Sequence, residues 1–149
     1  DLAKLELWHK NNDQSIELVD QALKVATPID SPYLNSLHKR DIETELVSLY
    51  EIQGIAYRYK KNYTLALKAY EKAQAIDPYY LTLYKEIADI YYLKGDIDSA
   101  LKYNLHAFEL NPHDANWPAA ISLLYREKKD LAKAEVYDRL AREINSAKP

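Results

Sequence analysis

LTLYKEIADIYYLKGDIDSALKYNLHAFELNPHD, residues 81–114, decides the fold. The spacing of its apolar residues predicts two amphipathic helices, with a tight turn at Gly95-Asp96 and a stop at Pro112. Moved 34 residues in either direction, the stretch finds its own key positions again. Ala66, Ala100 and Ala134 fall in one column, Ala73, Ala107 and Ala141 in a second, and Tyr57, Tyr91 and Tyr125 in a third. Ile76, Leu110 and Ile144 follow, with Pro78 over Pro112 and Tyr50 over Tyr84. Small, aromatic and proline positions recurring in phase predict an all-α solenoid of stacked antiparallel helix pairs, about eight helices in all.

Composition agrees with such an object and excludes several others. The 149 residues are 48% hydrophobic and 29% charged with a net charge of −3, the balance of a globular chain able to bury a core. Basic residues are interspersed with acids, which argues against a nucleic-acid partner. No cysteine is present, so disulfides, thiolate metal sites and a cysteine nucleophile are excluded. Two glycines leave almost no room for a phosphate-cradling loop. No run approaches the ~18 apolar residues of a membrane span, so direct membrane insertion of this segment is not expected. Methionine is absent even at position 1, which suggests a piece of a larger parent. Cytoplasmic is the default compartment, and an extracytoplasmic soluble domain stays open.

Taken in order, residues 1–26 form a degenerate first helical pair. Asp1 caps a short helix carrying Leu2, Leu5, Leu7 and Trp8, and Asn11-Asn12-Asp13 breaks it and caps the next. Placing Ala22 on the Ala73 column puts Ser15 on the Ala66 column, both small. Residues 27–46 interrupt the period as an insertion. Ser31-Pro32 restarts the chain, Ser as cap and Pro in the first helical position, and no Gly or Pro follows until Gly54. One long helix from Pro32 to Tyr59 is predicted, its early part needing a cover over Tyr33, Leu34 and Leu37. A break near Arg40-Asp41 is the alternative. Residues 47–80, 81–114 and 115–148 are three full repeats of one domain. Their turns are predicted at Lys61-Asn62, Gly95-Asp96 and Lys129-Asp130, with Asn62, Asp96 and Asp130 as N-caps and Gly95 left-handed. Pro118 sits in the first turn of its helix, with Asp114 as the cap.

These residues resemble the tetratricopeptide repeat family. The middle repeat presents Tyr84, Ile87, Ala88, Tyr91, Gly95, Ala100, Ala107 and Pro112 in that family's pattern. The first presents Tyr50, Gly54, Tyr57, Ala66, Tyr70, Ala73 and Pro78, with Gln53 departing at an apolar position. The third keeps Ile121, Ser122, Tyr125, Ala134 and Ala141. It departs with Pro118 at the aromatic position, Asp138 for the second aromatic and Ser146 for the proline. Physically, Gly54, Ala88 and Ser122 let two helix backbones approach, and the tyrosines fill the wedge between pairs.

The resemblance implies a right-handed superhelix and a non-catalytic scaffold for protein partners. Its first helices would line a concave groove that takes a peptide or a partner helix. Carried over, the groove rows are Ser48, Glu51, Ile55, Arg58 and Tyr59, then Thr82, Lys85, Asp89, Tyr92 and Leu93, then Asn116, Ala119, Leu123, Arg126 and Glu127. Three basic residues balance three acidic ones, and apolar anchors stand among them, which suits a mixed-character ligand. Glu51 and Ile55 stand where the family's carboxylate clamp would need Lys and Asn. The last helix, with Leu131, Val136, Leu140 and Ile144, has no following cap, so the expectation is either a further helix behind it or contact with another chain, self-association being one form of the latter.

Catalytic signals are lacking. Glu43 with Glu45, and Asp96 with Asp98, read as solvated faces or caps. His9, His38, His106 and His113 lack metal-ligand spacing. Asn62-Tyr63-Thr64 matches a glycosylation acceptor, though the capping role explains Asn62 as well. No cofactor is expected. The rival reading is a soluble accessory domain of a larger, membrane-bound enzyme such as a sugar polymerase or glycosyltransferase.

Overall fold

The computed structural model describes residues 11–25 and 36–147. Seven helices and no strand occur among them: α1 (Asn12–Val25), α2 (Ser36–Tyr59), α3 (Tyr63–Ile76), α4 (Leu81–Leu93), α5 (Ile97–Leu110), α6 (Asn116–Glu127) and α7 (Leu131–Ser146). The expected helix around Trp8, the restart at Ser31-Pro32 and the cover over Tyr33 and Leu34 lie outside the described residues. Within them, α2 runs unbroken through Arg40-Asp41, so the expected continuous helix holds over Ser36–Tyr59. The chain forms two compact units that divide after Leu83.

In the first unit α1 packs on α2 and α2 on α3. Val19 of α1 and Ile52 of α2 are buried together, with Leu18, Leu23 and Leu49 around them. Ser15 is fully buried, as its place on the small-residue column requires. Gln53, the departure at an apolar position, donates to the Asp20 carboxylate at 2.7 Å, and Lys60 pairs with Asp13. Polar residues on α2 and just after its end therefore find partners on α1. Tyr70 of α3 is fully buried against Gly54, where an added Cβ would sit 2.3 Å from the ring. That contact explains the glycine: the aromatic ring takes the volume a side chain would occupy.

In the second unit α6 packs on both α5 and α7. Ala100, Leu101, Ile121 and Leu124 form its core, and Tyr91, Tyr125 and Tyr137 pack against them. Tyr91 stacks on Tyr103 and Tyr125 on Tyr137, each pair with centroids 5.6 Å apart and planes 18° apart. The 34-residue period of the sequence thus reappears as a repeated ring geometry.

The turns obey one rule. Gly95 has φ 77°, as expected, but Lys61 (58°) and Lys129 (61°) adopt the same left-handed conformation without being glycine. In each turn the next amide reaches back five residues: Asn62 to the Tyr57 carbonyl, Asp96 to Tyr91 and Asp130 to Tyr125, all at 2.9 Å. Such a bond satisfies a carbonyl that the helix end would leave orphaned. That same residue then caps the following helix. Asn62 accepts from the Leu65 amide, Asp96 from Ser99 and Asp130 from Lys133. Helices α3 and α5 stop before Pro78 and Pro112, because the preceding Asp77 and Asn111 are pushed out of helical geometry. The start of α6 differs slightly from expectation. It begins at Asn116 rather than directly after Asp114, while the Asp114 carboxylate still accepts from the Asn116 amide at 3.0 Å.

Candidate functional site

Residues expected on the groove separate by unit. In the first, Glu51, Ile55, Arg58 and Tyr59 lie along α2. Glu51 is half-buried and accepts a 2.9 Å hydrogen bond from the Tyr80 hydroxyl. Burial, joined by that carboxylate, raises the Tyr80 phenol above its ordinary range. Arg58 stands over the Tyr59 ring, 5.4 Å from its centroid, and Tyr59 is exposed. A hollow of about 300 Å³ opens among Arg40, Thr44, Ser48, Asp77 and Tyr80, and none of Glu51, Ile55, Arg58 and Tyr59 lines it.

In the second unit the expected residues converge. Lys85, Asp89 and Tyr92 of α4 and Leu123 of α6 line one cavity of about 530 Å³, together with Asn116 and Glu127 from the same expected rows. Its size is that of a ligand pocket. Leu123 is 64% exposed and Tyr92 48%, so both present apolar surface at the mouth. Lys85 and Asp89 form an ion pair at 2.9 Å one helical turn apart. Leu93 and Arg126 do not line the cavity. Leu93 is exposed, and Arg126 is paired with Asp138 of α7. The Ser122 hydroxyl and the Arg126 guanidinium hold the Asp138 carboxyl below its ordinary range. Asp138, at the position of a family aromatic, therefore receives a basic residue from α6 instead of filling space.

Reasoning from first helices alone misses the interior of the cavity. Ala88, Ala100, Ala120 and Leu124 supply apolar walls, and Asn104 and Trp117 supply polar groups. Asn104 is 6% exposed, and its amide nitrogen donates to the Ala100 carbonyl at 2.9 Å. Trp117 is 7% exposed, and its Nε1–H has no partner among the described residues. The signal for Asn104 was present in the period: 34 residues after Tyr70 the column changes from an aromatic to a short amide. A ring fills this place in the first repeat. Here it is open.

No group of three or more His, Asp or Glu among the described residues could hold a metal ion, and no described helix is long and apolar enough to cross a membrane. His106 lies 3.3 Å from Glu109 on the exposed face of α5.

Helical hairpins recurring with a 34-residue period define a helical-repeat protein. Residues 47–80 and 81–114 each match the family model described as tetratricopeptide repeat, so the chain carries two repeats of that kind. No curated protein matches the chain in sequence. Among solved structures it is similar to MamA MSR-1 C2, with a TM-score of 0.71, 17% identity, and 97% of this chain and 74% of that one covered. A second MamA crystal structure gives 0.64 at 19% identity, covering 98% of this chain and 95% of that one. A chain of the CopN-Scc3 complex gives 0.66 at 15%, covering 88% and 78%. At these identities the likeness is one of fold.

Proposed function

We propose that this chain is a non-catalytic protein-interaction scaffold, and that α4 and α6 of the second unit carry its contact surface for a peptide segment or partner helix. The observation that carries this reading is the convergence of Lys85, Asp89, Tyr92 and Leu123 on one open, mainly apolar cavity. Exposed aromatic and aliphatic residues beside an apolar pocket are the usual anchors of a protein contact. Ile55, Arg58 and Tyr59 of α2 offer a second, smaller contact row.

The test is capture of proteins from source-cell lysate on the immobilised chain, beside a Tyr92→Glu/Leu123→Glu variant. Both side chains are exposed, so the variant keeps its helicity. A protein held by the parent and lost by the variant is expected. Equal capture by both would overturn the assignment to α4 and α6.

Self-association through α7 is a separate proposal. Leu131 and Val136 are 65% and 52% exposed on the last helix. Sedimentation over a concentration series is expected to show a dimer that Leu131→Lys/Val136→Lys abolishes, and a constant monomer mass would refute it.

A further inference from the structure

Resting on the scaffold reading, we propose that the cavity between α4, α5 and α6 selects a basic peptide segment, seating one apolar side chain between flanking lysines or arginines. The cavity lies where the first repeat is filled. Tyr70 fills the space beside Gly54 in the first repeat, whereas Asn104 and Ala88 hold the same positions one period later and leave the space open. Its walls at Ala100, Ala120 and Leu124 accept hydrocarbon. Burial of an apolar side chain there supplies the affinity.

Charge gives the direction. Lys85, the one cation on the lining, is held by Asp89 at 2.9 Å. That leaves Asp114, just before α6, and Glu127, its last residue, as negative groups at the two ends. Neither is balanced by a lysine or arginine among the described residues. A 12-residue helix separates them, roughly 18 Å at 1.5 Å per residue. An extended segment covers that span in about five or six residues. A ligand with a cation near each end and an apolar residue between them matches both ends at once, and an acidic segment is repelled by both.

The experiment is selection from a random dodecapeptide library displayed on phage, using the whole chain. Enriched peptides are expected to carry Leu, Ile, Phe or Met with Lys or Arg within about three residues on both sides. Fluorescence polarisation of such a peptide is expected to weaken about tenfold for Asp114→Asn/Glu127→Lys, and to weaken as salt is raised. Filling the cavity tests its interior. Because Ala88 carries the Cβ that Gly54 lacks, the substitution that mirrors the first repeat is Ala88→Gly/Asn104→Tyr, and it is expected to abolish binding. If that variant loses its helical signal, Asn104→Leu fills the same space with less volume and serves in its place. Enrichment of acidic or uncharged peptides, or binding indifferent to the filled cavity, overturns the proposal. Peptides sensitive to Ile55→Glu/Tyr59→Glu instead would do so while leaving the scaffold reading intact. No enrichment of any peptide counts against both.

Discussion

Gly54 and Tyr70 are a matched pair, and their match has a measurable cost when broken. A methyl at position 54 meets the Tyr70 ring at 2.3 Å, far inside contact distance. Gly54→Ala is expected to destabilise the chain by about 2 kcal/mol in urea unfolding, the usual scale of overpacking. Gly54→Ala/Tyr70→Leu is expected to recover part of that loss. Lysines 61 and 129 make the opposite case, since both hold a left-handed backbone that Gly95 adopts without strain. Lys129→Gly is expected to raise stability by roughly 0.5–1 kcal/mol, the relief of strain exceeding the added freedom of the unfolded chain. Gly95→Ala is expected to lower it by a similar amount. No atom lies within 4 Å of an added Cβ there, so backbone strain is the only penalty.

At the level of elements, each hairpin depends on a residue with two duties, closing one helix and opening the next. Asp96 and Asp130 perform both, and their carboxyls lie below the ordinary range because Ser99 and Lys133, respectively, donate to them. A carboxyl whose pKa is lower folded than unfolded stabilises the fold above its unfolded value, near ~3.9, and that contribution disappears as pH falls through the folded value. Melting temperature is therefore expected to hold between pH 7 and 5 and to decline below about 4. Asp130→Asn keeps a capping oxygen while removing the charge, so its acid decline is expected to be shallower. These turns were legible in the sequence because Asn or Asp recurs at the same phase. The helix start at Asn116 was less so: Pro118 and Asp114 marked its vicinity, but the first turn tightened around the Asp114 carbonyl, which accepts from the Trp117 amide.

For the molecule as a whole, the period announced the architecture, because small and aromatic columns leave few other ways to pack helices. The candidate site was only half announced. Lys85, Asp89, Tyr92 and Leu123 stand on the expected first-helix rows, whereas Asn104 lies on a second helix and acts by what it fails to fill. Arg126 looked available in the sequence because Asp138, twelve residues later, reads as a missing aromatic and not as a partner. The position of Trp117 has one more consequence. Two tryptophans occur in the chain, Trp8 and Trp117, so Trp8→Phe leaves a single indole, set in the cavity wall with its N–H shielded from water. Its emission should be blue relative to free indole and should move when anything enters, giving the molecule a built-in optical reporter of its own occupancy.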